Sequence, residues 1–171
     1  MNSSDADVGR KQRFDRLVGV WHRDMYRYAA WLCRDPAIAE DVVQEALLRA
    51  WKSLDGLRDD AAAKQWALTI VRRENARYFE RKRLETVDID NLTASQAAML
   101  AKSSDSDLDD VRQAIYRLED DYREPLVLQV LMGHSTKEIA ELMDIKPGAV
   151  LTRLHRARNK LKDEIGEGAA P

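Results

Sequence analysis

The sequence has one cysteine, Cys33, among its 171 residues. A single thiol excludes an internal disulfide bond, and it excludes any metal site built from several cysteines. Cys33 lies in an apolar stretch with helical periodicity, where a free cysteine most often serves as a small buried side chain. We therefore expect it in the protein core.

Long apolar runs are also missing. No stretch approaches the roughly 20 apolar residues that cross a bilayer, and the N-terminal MNSSDADVGRK is polar where a signal peptide would be apolar. Hydrophobic residues make up 44% of the chain and charged residues 34%, which is typical of a soluble, ordered protein. We expect a cytoplasmic protein without membrane insertion.

Recognisable catalytic groups are missing as well. His22 and His134 have no partners at ligand spacing, and no Ser-His-Asp set, phosphate loop or paired carboxylates can be assembled from the sequence. The sequence therefore predicts no catalysis by this chain, no cofactor and no metal site.

An excess of positive charge is absent from the chain as a whole, whose net charge is -2. Taken alone, this value argues against a nucleic-acid-binding protein. The distribution is uneven, however, because residues 134–162 contain seven Lys or Arg and three acids, a local net charge of +4. Such asymmetry is typical of a DNA-facing module.

Apolar periodicity predicts three helices in the first half of the chain. The first runs from Phe14 to Leu32, and Asp35 followed by Pro36 begins a second that ends near Leu54. A glycine and several aspartates then interrupt the pattern before a third helix at Ala61–Arg83. Residues 10–84 are thus expected to form a three- to four-helix bundle.

The second half begins with a flexible acidic linker, residues 85–107, with a short helix near Ser95–Lys102. Helical periodicity resumes at Leu108, and Pro125 is expected in the first turn of a helix that ends at Gly133. Residues 108–166 then form a second small domain of four helices, and no segment carries a strand pattern. The predicted fold class is all-α, with two helical domains.

A helix-turn-helix is predicted near the C-terminus. Ser135 and Glu138 form a capping box for a helix that ends at Met143, and residues 144–146 provide a short turn before a helix from Pro147 to about Lys162. That last helix has an apolar face and an opposite polar face with Thr152, His155, Arg156 and Asn159. Such side chains can contact base edges, and flanking cations can neutralise phosphates. The flanking cations are Arg153, Arg158, Lys160 and Lys162.

The second helix has a different outward face. This face carries Asp41, Gln44, Glu45, Leu48 and Lys52, opposite an apolar stripe of alanines, valines and leucines. Acidic groups would repel DNA, so this face fits a basic protein surface. A merely solvated face explains the pattern as well. The third helix is basic toward its end, with Trp66 expected in the core.

Three segments resemble the extracytoplasmic-function (ECF) sigma factors, and the resemblance extends from about Phe14 to Ile165. AEDVVQEALLRAW (39–51) resembles the helix that docks on the clamp helices of the polymerase β′ subunit, which implies contacts through Asp41, Gln44, Glu45 and Leu48. STKEIAELMDIKPGAVLTRLHRARNKL (135–161) is similar to the helix-turn-helix that binds the minus-thirty-five element. The implied DNA-binding residues are Leu151, Thr152, Arg153, His155, Arg156 and Lys160.

QWALTIVRRENARYFERKR (65–83) is similar to the segment that opens the minus-ten element, and residues 56–62 match the loop that captures an extruded base. The implied residues are Gly56, Asp60, Arg72, Arg73, Asn75, Arg77 and Arg81. Arg73 and Arg77 stand where relatives commonly have Asn and Asp, which leaves the exact minus-ten sequence open. Leu151, where relatives often carry a cation, and Asp144, in place of a turn glycine, are further departures.

The resemblance implies a function: an alternative sigma factor that binds core RNA polymerase at the β′ clamp helices and β flap and directs it to promoter DNA under envelope or environmental stress. It also implies an anti-sigma factor, which could hold the protein at the inner membrane. Two alternatives stay open. They are a self-sufficient helix-turn-helix regulator, expected to bind as a dimer, and a sigma mimic that sequesters an anti-sigma factor.

Overall fold

The computed structural model describes residues 3–85 and 106–168. Within these ranges the chain is helical and contains no β-strand, which confirms the predicted all-α class. Two 3₁₀ turns, Leu54–Gly56 and Asp60–Ala62, lie between the second and third helices. The helices are α1 (Ser3–Cys33), α2 (Pro36–Ser53), α3 (Ala63–Glu85), α4 (Ser106–Arg117), α5 (Asp120–Val130), α6 (Thr136–Met143) and α7 (Pro147–Gly168).

The chain forms two compact helical units. The first unit contains α1 to Ala29, α2 from Ala37, and α3; the second contains Ala30–Pro36 and helices α4 to α7. The acidic linker and the short helix expected at Ser95–Lys102 fall mainly on residues 86–105, which lie outside the described residues.

The core of the first unit follows the predicted apolar stripes. On α1, Trp21, Met25 and Tyr28 are almost fully buried. On α2, Ala39 and Ala46 have no exposed surface, and such small side chains let neighbouring helices approach closely. The periodic positions of these helices therefore identify their packed faces. Cys33, which belongs to the second unit, is also buried, as expected, and burial together with the nearby Asp35 carboxylate raises the pKa of its thiol to about 12.

Helix α1 is longer than the sequence predicts, because it begins at Ser3 rather than near Phe14. Arg10 explains part of this extension. Its guanidinium donates a hydrogen bond of 2.7 Å to the carbonyl oxygen of Trp51 and lies 4.5 Å from the centre of the Trp51 ring. These contacts join residues far apart in sequence, so local periodicity does not reveal them.

The second unit contains the predicted helix-turn-helix, formed by α6 and α7. Both bonds of the capping box at Ser135 and Glu138 are present. Asp144 lies in the left-handed region with φ 54° and ψ 49°, and this conformation turns the chain between the two helices. Val150 and Leu154 are buried against the rest of the unit. The helix-turn-helix therefore forms as predicted, with α7 continuing beyond Lys162 to Gly168.

Helix α5 differs from the prediction at both ends. It begins at Asp120, so Pro125 is its sixth residue and is not in its first turn. Proline has no N–H, so at this position the helix lacks the backbone hydrogen bond to the carbonyl oxygen of Asp121. Buried Arg123 stabilises this start by donating to the carbonyl oxygen of Leu118 at 2.9 Å. The helix ends at Val130, and Gly133, with φ 74°, lies in the turn beyond it.

Candidate functional site

The acidic face of α2 consists of Asp41, Gln44, Glu45 and Leu48, and it points away from the core. Asp41 and Gln44 are exposed, Glu45 is half-buried, and Leu48 is 55% exposed. Glu45 lies 3.5 Å from the Nε atom of Arg49, one turn along the same helix. The face therefore presents carboxylates around an exposed leucine, which suits contact with a protein surface that carries cations.

One buried acid, Glu74, lies among the basic residues of α3. Glu74 is only 3% exposed, and its carboxylate pairs with Arg77 on the same helix and lies 3.6 Å from Arg49 on α2. Arg73 and Arg81 are exposed. The sequence shows the arginines but not this buried partner, because a Glu among the charges of a basic helix gives no sign that it is buried.

The other residues implied for minus-ten binding have different environments. Arg72 and Asn75 are half-buried on α3, and Gly56 is exposed in the first 3₁₀ turn. Trp66 is also half-buried, and its ring makes an edge-to-face contact with Trp21 at 6.3 Å between centroids. Trp66 therefore packs against α1, although it is less buried than the core position that its periodicity predicts.

Asp60, at the start of the second 3₁₀ turn, is held by two arginines of α1. Arg13 donates two hydrogen bonds to its carboxylate, at 2.7 and 3.0 Å, and Arg16 donates one at 3.0 Å. Hydrogen bonding from Arg13, reinforced by Arg16, lowers the pKa of Asp60. Arg13 also donates to the carbonyl oxygen of Leu57 at 2.7 Å. Asp60 thus fastens the loop to α1, a role that the sequence did not reveal.

The outward face of α7 consists of Leu151, Thr152, His155 and Arg156, all of which are exposed. The Thr152 hydroxyl donates to the carbonyl oxygen of Gly148 at 3.0 Å but keeps lone pairs that can accept a bond. Among the described residues, no acidic side chain pairs with Arg156. This face therefore offers an unneutralised guanidinium beside groups that can donate and accept hydrogen bonds.

Three of the four flanking cations of α7 already contact polar side chains of α5 or of its N-cap residue. Arg153 lies 3.1 Å from Asp121, and Lys160 lies 3.3 Å from Glu119. Arg158 donates to the side-chain oxygen of Gln129. Contact of Arg153 or Lys160 with DNA would compete with these pairs. The sequence grouped all the cations of α7 together, and only the fold distinguishes paired from unpaired ones.

Neither a metal-binding cluster nor a membrane-spanning helix occurs in the part of the chain that the structure describes. There, no cluster of three or more His, Cys, Asp or Glu side chains could hold a metal ion. In the same residues, no helix has both the length and the apolar composition that crossing a bilayer requires.

Two family models match the two helical units. The Sigma-70 region 2 model matches residues 17–85, and the Sigma-70 region 4 model matches residues 108–161. The first match covers the acidic face of α2 together with α3, and the second covers the helix-turn-helix. The fold and its two surfaces thus define a two-domain protein of the sigma-70 class.

Individual relatives narrow this class. The chain is 32% identical to the ECF RNA polymerase sigma-E factor of Escherichia coli K12, over 73% of this chain and 72% of that protein. It is 29% identical to a probable RNA polymerase sigma factor of Xanthomonas campestris, RfaY, over 94% of this chain, but it spans only 42% of that protein's length. The chain belongs to the ECF sigma factors, the family that the sequence motifs predict.

A solved structure has the same architecture. The sigma factor RpoE of Bartonella quintana, crystallised in complex with the anti-sigma factor NepR, matches with a TM-score of 0.79 and 26% identity. The match covers 91% of this chain and 98% of that chain.

Proposed function

We propose that this chain binds core RNA polymerase through the acidic face of α2 and directs transcription initiation from promoters that both domains contact. The first domain, residues 10–84, docks on the β′ clamp helices and helps to open the minus-ten element. The second, residues 108–166, binds the minus-thirty-five element and meets the β flap. The chain performs no chemical step itself; it acts by binding and positioning.

The observation that carries this proposal is the outward orientation of two oppositely charged surfaces. Asp41 and Gln44 on α2 and Thr152 and Arg156 on α7 are exposed, although each helix also has a buried face. Opposite charges suit different partners: carboxylates favour a basic protein surface, and guanidinium groups favour phosphates and guanine. A sigma factor needs both kinds of partner.

Helix α7 is the part that would enter the major groove, as the second helix of a helix-turn-helix does. Thr152, His155 and Arg156 would contact base edges, with Leu151 against an apolar group such as a thymine methyl. Arg153 and Lys160 would contact phosphates once their ion pairs with Asp121 and Glu119 open.

At the minus-ten element, the exposed cations Arg73, Arg77 and Arg81 of α3 would follow the DNA backbone. The half-buried Arg72 and Asn75 lie on the same helix, and Gly56 lies in the loop that would accept an extruded base. Asp60 would act indirectly in this proposal, because its bonds to Arg13 and Arg16 fix the loop.

Regulation by an anti-sigma factor is part of the proposal. The similar sigma factor of Bartonella quintana was crystallised with such a partner. An anti-sigma factor bound here would block the polymerase or DNA surfaces until a stress signal releases the chain. The chain would act in the cytoplasm, where core polymerase and promoters are found, or be held at the inner membrane by that partner.

The docking claim is tested by reversing charge on α2. In the double variant Asp41→Lys/Glu45→Lys, two carboxylates become cations, so like charges should repel the basic polymerase surface. We expect retention of core polymerase by the tagged chain to fall at least about tenfold, as loss of desolvated charge pairs implies. Binding should be measured by pull-down and by titration.

The matched control is Asp7→Lys/Asp15→Lys, which makes the same change in charge at two exposed positions of α1. It should retain polymerase as the wild type does. Equal retention by both double variants would mean that α2 does not dock.

Two other results would favour the alternative functions. Specific DNA binding by a dimer without polymerase would favour the self-sufficient regulator. Binding of an anti-sigma factor without promoter-directed transcription would favour the sigma mimic.

A further inference from the structure

A cleft of about 260 Å³ lies between the end of α2 and the middle of α3. Its lining includes four cations, Arg49, Lys52, Arg73 and Arg77, but only one carboxylate, that of Glu74. The charges of the lining therefore leave a net charge of +3 around a space large enough for a small anionic group. The family resemblance assigns no individual role to Arg49 or to Lys52.

Glu74 gives this cleft a defined structure. Its side chain is only 3% exposed, pairs with Arg77, and lies 3.6 Å from the Nε atom of Arg49. A buried carboxylate is costly without cationic partners, so the two guanidinium groups are held beside it. Each guanidinium has five N–H donors, and bonding to Glu74 uses only some of them. Both arginines therefore keep donors for a ligand.

Lys52 and Arg73 contribute the uncompensated charge. Both are exposed, and neither has an acidic partner among the residues that the structure describes. The lining has one large apolar side chain, Ile70, and no aromatic ring on which a base could stack. These features suit a phosphate group better than a whole nucleotide.

We propose that this cleft binds one backbone phosphate of promoter DNA, through Lys52 and Arg73 together with Arg49 and Arg77. The inference rests on the proposed function and deepens it, because α2 then contacts DNA at its C-terminal end as well as polymerase along its acidic face. The side chain of Arg49 lies between these regions, 3.5 Å from Glu45 and 3.6 Å from Glu74.

The test neutralises one DNA phosphate at a time. The full chain is combined with core polymerase and bound to a promoter fork obtained by selection, in which single phosphates are replaced by methylphosphonate. With the wild-type chain, neutralising one phosphate near the minus-ten element should weaken binding about threefold to tenfold, the range for a charge-assisted contact. In the Lys52→Gln or Arg73→Gln variant, replacing that same phosphate should weaken promoter binding by less than about half as much, because the cation that contacts the phosphate is gone.

The control variant is Lys11→Gln, which removes one exposed lysine of the same domain outside the cleft. It should give the wild-type methylphosphonate profile. If Lys52→Gln and Arg73→Gln also give that profile, the cleft is not a phosphate site, although the proposed function stands. If the wild-type holoenzyme does not bind promoter DNA at all, both proposals are wrong.

A free nucleotide is the other source of phosphate, and it is tested separately. Adenosine monophosphate and inorganic phosphate are titrated into the chain by calorimetry. Two results together would assign the cleft to a free nucleotide and overturn the backbone assignment. The nucleotide would bind saturably to the wild type but not to Lys52→Gln, and the methylphosphonate profile would be the same in both. No saturable binding of either probe, with a Lys52-dependent profile, supports DNA.

Discussion

At the scale of single residues, the cations of α7 differ in whether a partner already holds them. Arg153 pairs with Asp121 at 3.1 Å, whereas Arg156 is exposed and has no acidic partner among the described residues. A paired cation must give up its partner before it meets DNA, so its net gain is small. Arg156 is therefore the α7 cation best placed to contact a base edge.

We expect Arg156→Ala to cost about 1 to 3 kcal/mol at one base pair of the upstream element, because a bidentate contact with guanine would be lost. Discrimination at that base pair should weaken, whereas Arg153→Ala should affect all sequences alike. Both variants should be measured by competition binding of the holoenzyme to single-base promoter variants. An equal loss on every sequence for Arg156→Ala would make it a phosphate contact instead.

Asp60 supports a prediction about pH. Hydrogen bonds from Arg13 lower its pKa in the folded protein below the ordinary value of 3.8. Its stabilising effect is therefore complete above that ordinary value and is lost as the pH falls through the lowered pKa. Between pH 5 and about pH 3, the thermal midpoint should fall less steeply in Asp60→Asn than in the wild type. Parallel slopes would show that these bonds do not stabilise the folded chain.

At the scale of helices and turns, the helix-turn-helix is the element that local sequence motifs define most completely. Ser135 accepts a hydrogen bond from the backbone N–H of Glu138, whose carboxylate accepts one from the backbone N–H of Ser135 at 2.7 Å. Asp144 then ends α6 in a left-handed conformation. Two local motifs thus define α6, and the apolar positions of α7 determine which side of that helix packs.

Removal of the cap should destabilise this domain. We expect Ser135→Ala to lower the free energy of unfolding by about 0.5 to 2 kcal/mol, since the first N–H groups of α6 lose an acceptor. The change should appear as a lower denaturant midpoint in the full chain. Glu141→Ala, at an exposed position of the same helix, is the control and should change stability by less than about 0.5 kcal/mol. Equal midpoints for wild type and Ser135→Ala would contradict a stabilising cap.

Local sequence patterns predict these elements well where the pattern itself provides the stabilising contacts. The packed faces of α2 and α7 follow from helical periodicity, and the α6 cap follows from two side chains three residues apart. Local patterns do not predict the early starts of α1 and α5. Arg10 stabilises the start of α1 through a bond to the distant Trp51, and the buried guanidinium of Arg123 stabilises the start of α5. Local patterns also do not predict the partners of Asp60 and Glu74, because Arg13 and Arg49 lie on other helices. The burial of Glu74 is likewise visible only in the fold.

At the scale of the whole molecule, a net charge of -2 conceals two surfaces of opposite sign. The acidic face belongs to α2 in the first domain, and Arg156, which has no acidic partner among the described residues, belongs to α7 in the second. Joining the two domains in one chain allows polymerase and DNA to be bound together, which raises the overall affinity above that of either contact alone. The proposed function requires both kinds of surface, one for polymerase and one for DNA.

The central claim is that this chain gives core polymerase promoter specificity. Run-off transcription on a randomised promoter library, with core polymerase and the full-length chain, tests it most directly. We expect the transcribed templates to be enriched in two sequence elements; Asp41→Lys/Glu45→Lys should abolish the enrichment, and Arg156→Ala should alter only the upstream element. Transcripts from unselected sequences, or full enrichment with the α2 variant, would contradict the account.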